Sequence, residues 1–425
     1  ATGSHSAGRA IRSGRSKVKF ARRLKGDRRK SITLTLAWPP GLPSEMLRTR
    51  MPSFYRSAPS AGDILRANNG EGPGFNALRL ALSILILAVH SGWVAGADTS
   101  QDWEGLQGLF RLSLVPAFFA LSGFLVTGSA LRTGAVKPFI TLRFIRIIPA
   151  LLVEVTLSAL VLGPIFTTFL LADYFRDIRF LEYFGNIVGR IRFELPGVFE
   201  TNPLPNTVNQ NLWTLKPEFY CYILMALMIG FGIVRSRRLF TSFVVVLSAA
   251  ATVAAYAYGF GVSEANYHWT VVVFYFFVGC IYFQWRDRLK IHRLLFLAAL
   301  AISLALMSAP RELAFLVTPF LTYCVIYIGL LPLRLPELLR KLDVSYGIYL
   351  YGFPIQQALV AKFDFVHGDG LILFLVSAPI VTAFALFSWL YVEKPFLKVK
   401  RYVLGDRPPE AASGRDAASI APATR

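Results

Sequence analysis

Arg79 and His90 lie in an otherwise apolar run, LRLALSILILAVH. Successive helical residues are 100° apart, so eleven steps return both to one face, about 16 Å apart along the axis. An imidazole titrates near neutrality and is suited to moving a proton in a reaction. An ionisable side chain inside a bilayer is costly, so its retention there points to function. The ordinary alternative is an arginine that snorkels to the membrane surface and a histidine satisfied by packing.

Three further segments place chemistry inside apolar surroundings. LWTLKPEFYCY carries Glu218, at a depth comparable to His90. A carboxylate there needs a partner: either His90, whose ring it would orient, or a Tyr, Trp or Arg as a structural tie. RFIRIIPAL carries Arg143 and Arg146, three apart and therefore neighbours on a helix surface. They could grip a phosphorylated donor such as coenzyme A, or anchor the helix at the membrane face. FFALSGFL carries Ser122 and Gly123, a pair suited to close helix packing and to hydrogen bonding across helices.

Other candidates carry less. His268 and His292 fall near the ends of apolar runs, His367 in a turn and His5 in the leader. Cys221, Cys280 and Cys324 all fall within hydrophobic stretches and read as small buried hydrophobes rather than a disulfide framework. No metal-ligand spacing, P-loop, dinucleotide fingerprint or nucleophile elbow is present, so no metal and no permanently bound cofactor is expected.

The elements that must hold these residues follow from composition. Of 425 residues, 54% are hydrophobic and only 16% charged. A soluble domain carries about 25% charged residues, so the chain reads as an all-α, polytopic membrane bundle. Ten segments suit a crossing: about 75–95, 111–131, 143–166, 212–234, 239–259, 268–285, 293–309, 312–331, 343–362 and 370–391. The loops between them alternate in charge. One set holds eighteen Lys/Arg: Arg132, Lys137, Arg143, Arg146, Arg235, Arg237, Arg238, Arg286, Arg288, Lys290, Arg293, Arg334, Arg340, Lys341, Lys394, Lys398, Lys400 and Arg401. The other holds seven (Arg111, Arg176, Arg179, Arg190, Arg192, Arg311 and Lys362) together with Asp98, Asp102, Glu104, Asp173, Asp177, Glu264 and Asp369. The positive-inside rule places the first set, and both termini, in the cytoplasm. Arg79 is then near the inner end of its helix and His90 in the outer half.

The net charge of +20 suggests nucleic acid until its distribution is considered. Residues 1–50 hold 13 Lys/Arg against two acids, and most of the remainder sits between apolar segments as topology signal. No nucleic-acid partner is expected. Residues 1–74 contain no long apolar run and are expected to be a disordered basic region, a leader or non-native start with native coding from near Met51. Residues 75–397 form the membrane domain, and 398–425 a disordered tail. The external loop 167–211 carries Tyr174, Phe175, Phe180, Tyr183 and Phe184, and is expected to lie at the membrane surface before an irregular Pro/Asn stretch.

Taken in order, the Arg–His first span, FFALSGFLVT, RFIRIIPALL, LWTLKPEFY, SYGIYLYGFP and VEKP resemble the membrane-bound acyltransferase-3 family over residues 75–397. The resemblance implies an O-acyltransferase of the bacterial inner membrane. Its donor would be cytoplasmic acyl-coenzyme A, acetyl-coenzyme A in the first instance. Its acceptor would be a lipid-linked or cell-surface glycan such as lipopolysaccharide, exopolysaccharide or a nodulation oligosaccharide. Membrane lipid and polysaccharide-assembly proteins complete the implied partners. Motif by motif, Arg79 and His90 match the family's essential pair, Arg143 and Arg146 its basic motif, Ser122 its FFxxSGF motif and Glu218 its span-four carboxylate. Ser345 and Tyr346 match its SY motif. Where the family often has a second intramembrane histidine, this chain has Gly352, and no soluble esterase-like domain is expected after the last span.

Two other classes compete with an enzyme. An intramembrane His and Arg also suit a proton-coupled transporter or flippase of a glycan or lipid, although no internal repeat is visible. A non-catalytic scaffold in polysaccharide export would tolerate substitution of both. Release of free coenzyme A in the presence of acceptor separates the enzyme from the other two.

Overall fold

The computed structural model describes residues 58–98, 105–258, 269–308, 314–333 and 342–399. Outside them lie His5, His268, the acidic Asp102, Glu104 and Glu264, the basic Arg311, Arg334, Arg340, Lys341, Lys400 and Arg401, residues 1–57 and the tail from 400 onward.

The described residues are helical, without a β-sheet. Ten long helices follow the ten apolar segments: α1 Phe75–Val94, α2 Gly105–Thr133, α3 Val136–Leu157, α4 Leu215–Gly230, α5 Arg237–Tyr258, α6 Trp269–Gln284, α7 Arg293–Met307, α8 Ala314–Gly329, α9 Ser345–Lys362 and α10 Gly370–Ser388. Six stretches meet the length and apolarity of a bilayer crossing: Phe75–Ala95, Gln107–Thr133, Val136–Phe166, Gln210–Gly230, Arg237–Tyr258 and Gly370–Lys398. α6, α7 and α8 are apolar but shorter. α9 is long enough but less apolar, because protein rather than lipid surrounds it: Gly347, Ile348, Tyr351, Phe353, Gln356 and Gln357 are all buried.

Solvation is inverted relative to a water-soluble protein. Large apolar side chains such as Val246, Leu227, Leu297, Leu375 and Phe387 face outward. Ser83, Thr127, Glu154, Asn209, Asn211 and Gln356 are buried inside. In hydrocarbon this is the favourable arrangement, since polar groups must find partners within the protein.

Close packing has a specific cause at Gly123 and Gly279, on α2 and α6. A Cβ at Gly123 would collide with the Phe276 carbonyl, and one at Gly279 with the Ala120 carbonyl. Absence of side chains at both positions lets the two backbones touch.

Residues 58–74, expected to be disordered with the rest of the N-terminal region, are instead built into the fold. A short helix, Ala61–Ala67, starts at a capping box in which Ser60 and Asp63 satisfy each other's backbone N–H. The Ser60 hydroxyl and N–H, then Arg66, hold the Asp63 carboxyl down at about 2. The box therefore persists at neutral pH and is lost only as pH falls below the ordinary carboxylate range towards that value. Ala61 N–H donates to Leu289 O and Gly62 N–H to Arg286 O, tying this helix to the segment after α6.

The 167–211 loop divides into two parts. Leu170, Leu171, Ile178, Leu181 and Val188 point outward, while Tyr174 and Tyr183 are buried beneath them. The later part, residues 199–211, is strapped onto α9. Asn202 Nδ2 donates to Gln357 O and Oε1, and Gln357 Nε2 donates to Leu204 O and Thr207 O.

Candidate active site

Pro354, inside α9, has no N–H, so the Leu350 carbonyl one turn earlier loses its helical donor. Asn209 supplies the substitute. Its Nδ2 lies 2.9 Å from Leu350 O and 2.9 Å from Glu154 Oε1, which also accepts from Ser158 Oγ. At the preceding residue of α9, Asn211 Nδ2 donates to Tyr349 O at 2.6 Å. α3 and α9 are thereby joined at a fixed register. Asn209→Ala is expected to leave Leu350 O without its side-chain donor and Glu154 with Ser158 alone, and to lower detergent stability by about 1–3 kcal/mol. A thermal melt of the purified variant checks this; an unchanged midpoint would contradict it.

That register matters because the helices enclose a cavity of about 180 Å³ between α1, α2, α3, α4, α6 and α9. Arg79, Ser122, Arg143, Arg146, Glu218, Ser345 and Tyr346, seven of the eight residues singled out in the sequence, line it. They come from five different helices. The eighth, His90, does not line it. Its ring packs 5.4 Å from Trp93 and 5.5 Å, edge-on, from Phe353, centroid to centroid, and no hydrogen bond engages it among the described residues. Phe353 is about 6 Å, one helical turn, beyond the cavity-lining Tyr349 and Leu350.

One end of the cavity is ionic. Asp343 Oδ2 lies 2.8 Å from Arg79 Nη2 and 2.8 Å from Arg146 Nη2, so one oxygen bridges both guanidinium groups. Arg146 Nη1 reaches Glu393 Oε2 at 3.3 Å. Ser345 Oγ donates to the other Asp343 oxygen at 3.0 Å, which gives the SY serine a structural task. Arg143 is held differently. Its guanidinium sits over the Phe139 and Tyr222 rings and 3.4 Å from Ser129 Oγ, with no carboxylate in salt-bridge range among the described residues. It is the arginine least neutralised by the protein, and so the one best placed to attract a ligand anion.

Glu218 accepts a short hydrogen bond from Tyr222, its neighbour one turn on. The tie is therefore to a tyrosine; no Glu218–His90 pair forms. Gly352, where the resemblance calls for histidine, faces α1: a Cβ there would lie 2.8 Å from Leu87 Cδ1. A larger side chain would have to displace that leucine, so Gly352 serves the α1–α9 contact.

Sequence reading missed Asp343 outright and cited Glu393 only within VEKP. Tyr222, Tyr349, Asn209 and Asn211 were also not singled out. Asp343 had one usable signal: an acidic residue at the foot of a span, in a loop otherwise counted for its basic residues.

The acyltransferase-3 family profile, described as an acyltransferase domain, matches residues 73–393. The chain belongs to the acyltransferase-3 family. It is similar to an O-acetyl transferase of Shigella phage Sf6, 24% identical over 333 residues, or 76% of this chain and 95% of the phage protein. It is also similar to nodulation protein 10 of Rhizobium leguminosarum bv. viciae, 25% identical over 367 residues, or 80% of this chain and 97% of that protein. No solved structure matches the chain. Family and helices together make this acyltransferase an integral membrane enzyme.

Among the described residues no cluster of His, Cys, Asp or Glu could hold a metal ion. The candidate site is an arginine-lined cavity that His90 does not line.

Proposed function

We propose that this acyltransferase moves an acyl group, acetyl in the first instance, from coenzyme A to a hydroxyl of a lipid-linked or surface glycan. The carrying observation is the cavity itself, which gathers Arg79, Arg143 and Arg146 at one end and becomes aromatic and aliphatic towards the other. Guanidinium groups suit the phosphates of the donor, and the apolar end suits its thioester terminus. The similarity to a protein named O-acetyl transferase supports oxygen as the acceptor atom.

In this reading all ten long helices cross the bilayer, the arginine end faces the cytoplasm and both termini are cytoplasmic. The membrane is the bacterial inner membrane. The charge alternation of the loops supports that orientation. The acceptor approaches from the His90 side. His90 takes the proton of its hydroxyl as the oxygen attacks the thioester carbonyl carbon. The C–O bond forms, the C–S bond breaks, and the coenzyme A thiolate leaves and regains the proton from His90. Arg79, about 16 Å along α1, steadies the donor rather than the reacting atoms.

The deciding experiment measures free coenzyme A released by the purified protein from acetyl-coenzyme A, with membrane glycans extracted from a strain lacking the gene. Release that requires both components supports transfer; glycan movement across vesicles without release would favour a transporter. Arg143→Ala is expected to raise the acetyl-coenzyme A concentration needed for half-maximal rate about tenfold, with little change in maximal rate. An unchanged concentration dependence would remove Arg143 from donor binding.

A further inference from the structure

The far end of the cavity is built differently from the arginine end. On α2 the lining runs from Val126 back to Val115, eleven residues or about 16 Å of rise. At that level Phe118 and Tyr349 face each other with ring centroids 6.2 Å apart. Tyr349 is pinned there: its hydroxyl lies 2.8 Å from Thr214 Oγ1 and 3.1 Å from Asn211 O. Leu212 and Leu350, both almost fully buried, close the sides. Among the described residues no cationic side chain lines this end.

If the donor's phosphates engage the arginines, its acyl group is the part directed at this aromatic wall. The whole cavity is about 180 Å³. An apolar cavity of about 150 Å³ is filled by one benzene ring, so little room remains beyond the thioester. We infer that the Phe118–Tyr349 pair is the chain-length stop of the enzyme. It admits an uncharged acyl group of about two to four carbons and excludes longer or carboxylated ones. Phe118 sets the limit, because Tyr349 is fixed by two polar contacts and Phe118 by packing alone. This rests on the coenzyme A donor reading above.

The test is binding, so it needs no acceptor. Isothermal titration of the full-length protein in detergent micelles would use coenzyme A and its acetyl, propionyl, butyryl, succinyl, hexanoyl and octanoyl thioesters, with empty micelles as the blank. Affinity should hold through butyryl and fall at least about tenfold for succinyl and from hexanoyl onward. Phe118→Ala should move the break to longer chains and Phe118→Trp to shorter ones. Phe118→Leu replaces the alanine variant if that one does not elute as a folded monodisperse species. Affinity that keeps rising to octanoyl in the native protein, or a break that stays put in both directions of substitution, would overturn the stop. Absence of heat for every ligand, coenzyme A included, would overturn the donor reading instead.

Discussion

Cells producing His90→Ala are expected to lose glycan acylation by about 10²- to 10⁴-fold relative to native protein at equal membrane abundance. Mass spectrometry of surface glycans measures it, with an epitope blot for abundance. The effect should be confined to chemistry. His90 makes no hydrogen bond among the described residues and contributes ring contacts with Trp93 and Phe353. Its loss removes two ring contacts rather than a strut. His90→Phe retains those contacts without a titratable nitrogen, and should be as inactive as the alanine variant while melting close to native. Native levels of acylation in either variant would eliminate His90 as base and as acyl carrier. Those two roles separate on mixing radiolabelled acetyl-coenzyme A with protein alone: label retained on native protein but not on His90→Phe marks a covalent route. Because Glu218 is occupied by Tyr222 rather than by His90, no carboxylate among the described residues orients the imidazole. The base must therefore be steered by its aromatic neighbours or by the bound acceptor.

The second large effect is expected at Asp343. Alanine there strands Arg79 and Arg146 together, two like charges that now share one carboxylate oxygen. Arg146 would keep Glu393, but at 3.3 Å and through its other nitrogen. Removing one partner of a buried ion pair costs about 3–5 kcal/mol, so Asp343→Ala should melt well below native protein in detergent. Asp343→Asn should fall between the two, since its amide oxygen can still accept from Ser345. The double variant Asp343→Ala with Arg79→Ala should recover part of the loss, because one unpaired cation goes with it. Equal melting of native and Asp343→Ala would show that the network holds the arginines without holding the fold.

These two residues illustrate unequal legibility. His90 stood out because a histidine in an apolar run is costly wherever its partners lie. Asp343 sits at the foot of a helix beside basic loop residues, and nothing in its local sequence marks it as a bridge. Its partner Arg146 is 197 residues away, and Glu393 lies 247 residues from Arg146. Local periodicity carries no information over such distances. The strap formed by Asn209 is similar: Pro354 announces an unsatisfied carbonyl, but not which distant amide will serve it.

The sequence alone determined that the chain is an all-helical membrane protein, because apolar length and charge alternation are properties of single segments read one at a time. The Arg79–His90 face was likewise determined, since helical pitch relates residues within one element. Tertiary structure decided what that face addresses. Arg79 joins a cavity with Arg143, Arg146 and Glu218, while His90 does not line it and packs against Phe353. It decided too that Glu218 pairs with Tyr222, and that residues 58–67 fold back as a capped helix on the segment after α6. In each case the deciding contact joins side chains or backbone atoms from different elements or different turns, and which of them meet is set by how the helices pack rather than by any segment's own composition.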